Sequence, residues 1–495
     1  MFRLDLNFAR VLAWLAVALI MLNTLCFVLR VASPVVRDDD WYFLDVFLRK
    51  AIDGGLSVGD FFIKRYGSDH AQPLFKLEML LEWRYFDLDF AVGSILGVIA
   101  AAVCAVIYYR IIVAERHGDR SDVTRYLAWA SICAVLISLN GGGGSWTWPL
   151  VALENVTSMI ILLFMLVVWH SHRSQRYIGL AIATLFLCIS SDDSALIAVI
   201  ATVLALLLAQ LCDRTQRRRS TWKILAVIGV CTVVVRIGYA YAPVVGGTPS
   251  MSILSNMGLL HDRFVQKGWW MWATLPLTLP VYTQSPFGFI GADGWVVVQV
   301  VMAVILLTAH LWFWGAAFRT EYSRLVFVAV CLMILSYGWV AGIILGRVTI
   351  YGNNYLNEPR YLLLYGGHLI ALLLLWASSS RLMPRLSGWR RALGSSAPAA
   401  GCVILLLGQI PLSIHAWGLR PYEWIYYVQM AHQINDLAKD PVHPANCVPE
   451  LPICGWPLEK RRELTRLLSE NRLNVFSPKV QRWHSYLPPL SPDSP

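Results

Sequence analysis

The chain has 495 residues, of which 57% are hydrophobic and 15% charged, and its formal net charge is +10. This composition is too apolar for a soluble globular protein and predicts a polytopic membrane protein. The basic residues stand in short clusters between apolar stretches, as the positive-inside rule describes. The positive charge therefore does not indicate nucleic-acid binding.

The apolar stretches predict an all-α fold with about eleven transmembrane helices. They cover approximately residues 10–32, 91–114, 126–139, 151–169, 177–190, 195–211, 222–242, 295–317, 325–345, 361–379 and 397–417. The first apolar span is longer than the core of a signal peptide, so we interpret it as an uncleaved transmembrane helix. We place its N-terminus in the cytoplasm. Every even-numbered connection is then cytoplasmic and rich in arginine. The sequence thus predicts a multi-pass membrane protein with a cytoplasmic N-terminus and a C-terminus on the outer side.

The connections on the predicted outer side differ in length and composition. The first, 33–90, contains amphipathic segments at Trp41–Lys50 and Pro73–Tyr85, which we expect to lie along the membrane surface as helices. The connection 243–294 is rich in Trp, Pro and Gly and is predicted to be a structured cover.

We divide the chain into a transmembrane domain, 1–417, and a periplasmic C-terminal region, 418–495. In the second part, Cys447 and Cys454 share one polar stretch. An oxidising compartment permits a disulfide between them.

Two of the predicted spans are short, and each ends in polar residues. Span 126–139 runs into Gly141–Gly144, and span 177–190 runs into Asp192-Asp193. A helix of 14 residues extends only about 21 Å against a hydrocarbon thickness of about 30 Å. We expect a hydrated cavity there, with local thinning of the bilayer as the alternative.

The main candidate for an active site follows the first span. Asp38, Asp39 and Asp40 are consecutive, and adjacent carboxylates raise one another's pKa. A metal ion, a cationic partner or a reaction would compensate that cost. The structural alternative is a helix start, which Asp side chains cap. One Asp would suffice for a cap, so the triplet favours function.

Two further polar elements lie on the predicted outer side. Asp69 and His70 stand together in the first outer connection, where Asp40 or Asp39 with His70 would share a divalent ion or a sugar hydroxyl. Glu154 opens the fourth span, and a carboxylate facing lipid there would cost a few kcal/mol, so we expect polar surroundings.

Three arginines also fall on the predicted outer side, against the usual trend. Arg236 lies in the seventh span, Arg347 follows the ninth, and Arg360 enters the tenth beside Tyr361. A guanidinium group suits bidentate phosphate binding. The alternative for each is an ion pair or contact with lipid headgroups.

Together these elements resemble integral-membrane glycosyltransferases of the GT-C class, such as protein mannosyltransferases, aminoarabinose transferases and O-antigen glucosyltransferases. Asp39-Asp40 match the acidic pair, with Asp38 possible by a shift of one residue. Asp69-His70 match the His-containing element, and Arg360-Tyr361 match the Arg-Tyr. Asp192-Asp193 have no counterpart in this pattern.

The resemblance implies transfer of a sugar from a polyprenyl-phosphate donor to a glycan, lipid or protein acceptor. It also implies a bacterial cytoplasmic (inner) membrane, with the outer side and the C-terminus in the periplasm. Asp39 would be the base, and the arginines or a divalent metal, Mg²⁺ or Mn²⁺ at Asp40 and His70, would stabilise the leaving phosphate. Two alternatives remain open: a secondary transporter or lipid flippase, and a metal-independent, O-antigen-ligase-like transferase. A non-catalytic membrane scaffold is a third.

Overall fold

The computed structural model describes residues 6–65, 71–114, 122–212, 218–245, 253–265, 270–320, 322–378, 389–442 and 447–490. Helices account for most of these residues. Two short strands, Lys64–Arg65 and Val244–Val245, form a parallel pair. The predicted site residues Asp69 and His70 lie outside the described ranges.

Nine helices of the described chain are long and apolar enough to cross a membrane. They are Phe8–Val31, Ala91–Ile112, Pro149–Ser174, Ser194–Cys212, Ser220–Ala240, Ser285–Ala317, Arg324–Tyr351, Pro359–Ser378 and Ser396–Lys439. A bent pair, Val123–Leu136 with Asn140–Thr147, makes a tenth if it is one span, and Ile178–Ser190 is an apolar helix of shorter length. The protein is therefore helical, with several helices suited to cross a membrane. The predicted number of eleven transmembrane helices stays a prediction.

The glycine run forms the bend in the broken helix. The two halves meet at 51°, and Gly141, Gly142 and Gly143 all have positive φ angles, which glycine adopts without a steric penalty. A Cβ atom on Gly143 would lie 2.4 Å from Cε1 of Phe27. Irregular backbone at membrane depth is tolerated where protein surrounds it or where it lines a cavity. Here Gly143 is packed against Phe27, and the hydrated cavity stays a prediction.

The first connection folds into short helices against the end of the bundle. They are Asp40–Phe43, Leu44–Leu48 (a π-helical turn), Arg49–Ile52, Val58–Phe62 (3₁₀) and Pro73–Phe86. Pro73 starts its helix at a position where no N–H is needed. In the same helix Leu77, Leu81 and Tyr85 form an exposed stripe, which suits the predicted position on a membrane surface.

The C-terminal region packs onto this first connection. It contains Pro452–Gly455 (3₁₀), Leu458–Glu470, Asn474–Phe476 (3₁₀) and Pro478–Trp483. Trp41, Phe43 and Leu44 share one hydrophobic cluster with Leu464 and Leu468. The apolar side chains at the start of this segment thus pack against protein, whereas the sequence predicted that Trp41–Lys50 lies along the membrane surface.

The predicted domain boundary at residue 417 falls inside one continuous helix, Gln409–Lys439. The same helix therefore leaves the bundle and forms part of the C-terminal cluster, in which Tyr427, Met430 and Ile434 are buried. Cys447 and Cys454, which the sequence analysis pairs, are joined by a disulfide.

The segment predicted as a cover forms the helices Ile253–Val265, Met271–Thr278 and Ser285–Ile290 (3₁₀). Arg263 donates to the backbone carbonyl of Thr349 at 3.2 Å, and Trp272 donates to Asn353 at 2.8 Å. This segment is therefore anchored on residues 349–353. Its role as a cover stays a prediction.

The remaining elements complete the bundle. They are the helices Gly144–Thr147 and Pro149–Ala152 after the glycine bend, and Thr349–Tyr351, Asn353–Asn357 (3₁₀) and Pro359–Tyr361 (3₁₀) before helix Leu362–Ser378. Residues 37–38, 144–148 and 358–360 surround the candidate site together with the middle of helix Gln409–Lys439 and Glu450.

Candidate functional site

A cavity of about 500 Å³ lies where the first connection, the segment after the glycine bend and the C-terminal region meet. Its lining residues come from five segments of the chain: Arg37, Asp38, Gly144, Thr147, Trp148, Glu358, Pro359, Arg360, Leu419, Tyr422, Glu423, Tyr426 and Glu450. Two site residues predicted from the sequence, Asp38 and Arg360, therefore share one cavity.

Asp38 is held by three features of its surroundings. Its backbone has φ +46°, a left-handed conformation in which Asp and Asn are enriched among non-glycine residues. Its N–H donates to the carbonyl oxygen of Glu450 at 2.7 Å, and its Oδ2 accepts from Nε of Arg37 at 2.9 Å. The carboxylate stays partly accessible, since 26% of the side chain is exposed.

The environment of Asp38 makes it a stronger base than a free aspartate. Burial raises the pKa of its carboxyl, the Arg37 guanidinium opposes that rise, and the nearby charges of Glu450 and Asp39 add to it. A raised pKa suits a carboxylate that accepts a proton in a reaction.

The other two aspartates of the triplet have different places. Asp39 is half-buried and lies within electrostatic range of both Asp38 and Arg360, although it does not line the cavity. Asp40 is fully buried, and its Oδ2 accepts from the backbone N–H of Arg37 at 3.3 Å. Asp40 thus supports the turn that presents Arg37 and Asp38.

Arg360 is surrounded by aromatic rings. Its Cζ lies 5.7 Å from the ring centroid of Trp148, 5.1 Å from that of Tyr355 and 5.5 Å from that of Tyr361, distances at which a cation is attracted to a ring face. Its nearest carboxylate is that of Glu358, at 4.0 Å, so this ion pair is weak.

Two donors at this cavity lack an acceptor. Nε of Arg360 and Nε1 of Trp148 are buried and make no hydrogen bond. A buried donor without a partner costs free energy, and a ligand with anionic oxygens would supply the missing acceptors. This part of the cavity is therefore suited to an anion such as a phosphate.

The remaining predicted residues lie elsewhere. Glu154 lines a second, smaller cavity with Gln72, Ser190, Ser191 and Ser194. Arg347 lies close enough to Tyr361 to act on it electrostatically. Arg236 lies in the same way near Cys188 of helix Ile178–Ser190. Of the three predicted arginines, only Arg360 lines the large cavity.

The predicted metal site joins Asp40 with His70, and His70 lies outside the described residues. Burial raises the pKa of Asp40 well above its ordinary value. Among the described residues, no three His, Cys, Asp or Glu side chains are grouped in a way that fits a metal ion. Mg²⁺ or Mn²⁺ stays a prediction from the sequence, and no step below depends on it.

The sequence analysis missed Arg37, Trp148, Glu423, Tyr426 and Glu450. Glu450 lies inside the disulfide loop, and its carboxylate accepts from the hydroxyl of Tyr426. Arg37 lies over Trp148 at 5.4 Å. The signals for these residues were weak: an arginine directly before the acidic triplet, and acidic residues in a tail treated as peripheral.

Comparison of the chain with protein-family models, curated proteins and solved structures found no match. The cavity is therefore the basis for inferring the function.

Proposed function

We propose that the protein is a membrane glycosyltransferase that moves a sugar from a polyprenyl-phosphate-linked donor to a glycan, lipid or protein acceptor. One observation carries the proposal: a partly exposed carboxylate, Asp38, and a guanidinium with an unpaired donor, Arg360, line the same 500 Å³ cavity. A base on one wall and an anion site on another are what such a transfer requires.

The chemistry follows from these positions. Asp38 accepts the proton of the acceptor hydroxyl while the acceptor oxygen forms a bond to the anomeric carbon of the sugar. The bond between that carbon and the phosphate oxygen breaks, and its electron pair leaves with the polyprenyl phosphate. Arg360 and the indole N–H of Trp148 stabilise the negative charge that develops on the departing phosphate.

The base assigned here is Asp38, one residue before the Asp39 favoured by the sequence. The reason is that Asp38 lines the cavity. Asp39 contributes negative charge nearby, and Asp40 maintains the turn.

The proposal also assigns the membrane orientation. The cavity lies at the end of the bundle that carries the first connection and the C-terminal region. Under the predicted topology this end faces the periplasm of a bacterial inner membrane. The Cys447–Cys454 disulfide supports that side, because disulfides persist in oxidising compartments.

A secondary transporter or flippase is the second candidate. The observation that favours it is the 51° break between Val123–Leu136 and Asn140–Thr147, since broken helices form binding sites in transporters. The two functions differ in product. Transport of a lipid-linked sugar leaves its glycosidic phosphate bond intact, and transfer breaks it.

Mass spectrometry of envelope glycans from a deletion strain tests the proposal. We expect one glycan, lipid or protein to lack a sugar residue in the deletion strain and to regain it with the wild-type gene. Complementation with Arg360→Gln or Asp38→Asn should fail. An unchanged set of envelope glycans would contradict the proposal.

A further inference from the structure

The further inference concerns Arg37, which belongs to neither the predicted nor the proposed machinery. Its side chain is 14% exposed and donates from Nε to Asp38. Its guanidinium also lies over the ring of Trp148, as that of Arg360 does. Arg37 therefore contacts both the base and the aromatic wall of the anion site.

The two arginines differ in how closely they approach a carboxylate, although Arg360 also donates a hydrogen bond to the hydroxyl of Tyr355. Arg37 is bound to Asp38 at 2.9 Å, whereas Arg360 lies 4.0 Å from Glu358. A carboxylate held by a guanidinium in this way is a poorer proton acceptor, because the charge-assisted hydrogen bond stabilises its ionised form. Asp38 would be a better base if Arg37 moved away from it.

An anion bound beside Trp148 would compete with Asp38 for Arg37. The backbone of Arg37 is fixed by Asp40, which accepts its N–H, so the competition involves the side chain alone. Guanidinium groups bind phosphate with two parallel hydrogen bonds. A phosphate between the two arginines would therefore be bound more tightly than by Arg360 alone.

We propose that Arg37 is a second phosphate-binding residue, and that binding of the donor phosphate draws its side chain from Asp38 to the phosphate. Asp38 then becomes a better base toward the acceptor hydroxyl once the donor is bound. This inference rests on the proposed function and adds an order of events: the donor binds first, and its phosphate releases the base.

The proposal makes an unusual prediction about affinity. If Asp38 and the phosphate compete for Arg37, removing the charge of Asp38 strengthens phosphate binding, because linked equilibria are reciprocal. Asp38→Asn suits this test, since Asn has nearly the same volume and is also enriched in the left-handed conformation found here.

The experiment measures binding of farnesyl phosphate, a short polyprenyl phosphate, to the purified full-length protein by isothermal titration calorimetry. Farnesol and inorganic phosphate serve as separate ligands that isolate the lipid and the phosphate. We expect Arg37→Gln and Arg360→Gln each to weaken farnesyl phosphate binding about tenfold. Asp38→Asn should tighten it about fivefold.

The double variant Arg37→Gln/Asp38→Asn supplies the decisive control, because the tightening should vanish when Arg37 is absent. Glu423→Gln removes another carboxylate of the same cavity and reports the general effect of one fewer negative charge. Its effect should be smaller than that of Asp38→Asn and should be the same with and without Arg37.

The outcomes separate the two proposals. If Arg360→Gln weakens binding while Arg37→Gln and Asp38→Asn leave it unchanged, Arg37 is only a structural partner of Asp38 and the inference is overturned. If farnesol binds as tightly as farnesyl phosphate, the cavity does not recognise phosphate, and the proposed function fails as well. The same pattern of variants with inorganic phosphate would support the competition for Arg37.

Discussion

Asp38 donates its backbone N–H to the carbonyl oxygen of Glu450 at 2.7 Å. This hydrogen bond joins the turn after the first helix to the loop closed by Cys447 and Cys454. The carboxylate of Glu450 in turn accepts from Tyr426 on helix Gln409–Lys439. The C-terminal region is therefore part of the site, and its disulfide helps to fix the position of the proposed base.

We predict that opening this disulfide lowers activity. The short closed loop is worth roughly 2–3 kcal/mol of local stability, and without it Glu450 and Asp38 lose their fixed relation. Cys447→Ser/Cys454→Ser should keep the membrane helices folded, as circular dichroism would record, and turn over several-fold more slowly. Unchanged turnover would show that the loop does not position the site.

The same cysteines can show on which side of the membrane the C-terminal region lies. A membrane-impermeant maleimide applied to intact spheroplasts should label Cys447 and Cys454 only after a reductant is added, as peptide mass spectrometry would record. Labelling that requires lysis of the cells would place the tail in the cytoplasm and contradict the predicted orientation.

Donor binding should depend on the planar shape of the Arg360 guanidinium group. Arg360→Lys keeps the charge and loses the planar fork, so we expect a higher donor KM, equivalent to a loss of about 1–3 kcal/mol. Glu358→Gln is the matched control, because its 4.0 Å contact with Arg360 is weak. If Glu358→Gln does as much harm as Arg360→Gln, and Arg360→Lys is tolerated, Arg360 serves an ion pair instead of the donor.

Gly143 should tolerate no side chain. Its φ is +80°, and an added Cβ would lie 2.4 Å from the ring of Phe27. Gly143→Ala therefore combines backbone strain with overpacking. The overpacking alone should lower the free energy of unfolding by about 1–3 kcal/mol. Gly229→Ala is the control, since nothing lies within 4 Å of a Cβ there. We expect a lower thermal midpoint for Gly143→Ala only, and equal midpoints would contradict the packing described.

Stability should fall as pH rises, because of a buried carboxyl pair in helix Pro73–Phe86. Burial raises the pKa of Glu78 to about 7, and burial together with the charge of Glu78 raises that of Glu82 well above its usual range. The folded protein thus binds more protons than the unfolded chain above pH 4.5. The stability present below that pH is lost as the pH rises through 7.

Thermal midpoints measured at pH 5, 7 and 9 test this prediction. The wild type should be least stable at pH 9, and Glu82→Gln should lose part of that dependence. Glu470→Gln, which alters an exposed carboxylate, should keep the wild-type profile. A wild-type midpoint that does not fall between pH 5 and 9 would show that the pair is not protonated in the folded protein.

Much of the fold was accessible from the sequence, because hydropathy acts locally. The long apolar helices lie where the apolar spans are, and the glycine run marks the break after Leu136. Long-range contacts are not encoded in that pattern. The burial of Trp41 and Phe43 against Leu464 could not be read from an amphipathic segment, because such a face fits a membrane surface and a protein surface equally well.

The candidate site, like the fold, could be predicted from the sequence only in part. Asp38 and Arg360 were among the predicted residues because charges beside apolar spans are costly, and both line the cavity. The sequence could not rank the three aspartates, because a left-handed turn decides which of them faces the cavity. It also gave no reason to connect Glu450 with Asp38, since only the fold of the C-terminal region brings them together.

The most direct test of the account is the release of polyprenyl phosphate by the purified protein in proteoliposomes. Mass spectrometry would follow a panel of polyprenyl-phosphate-linked sugars supplied with envelope acceptors from the deletion strain. We predict that the wild type breaks the bond between sugar and phosphate for one donor. Asp38→Asn should lose at least about a hundredfold in rate, as expected for a general base. Asp39→Asn should retain more activity than Asp38→Asn. Release by Asp38→Asn at the wild-type rate would contradict the assignment of the base, and intact donors throughout the panel would contradict the proposed transfer.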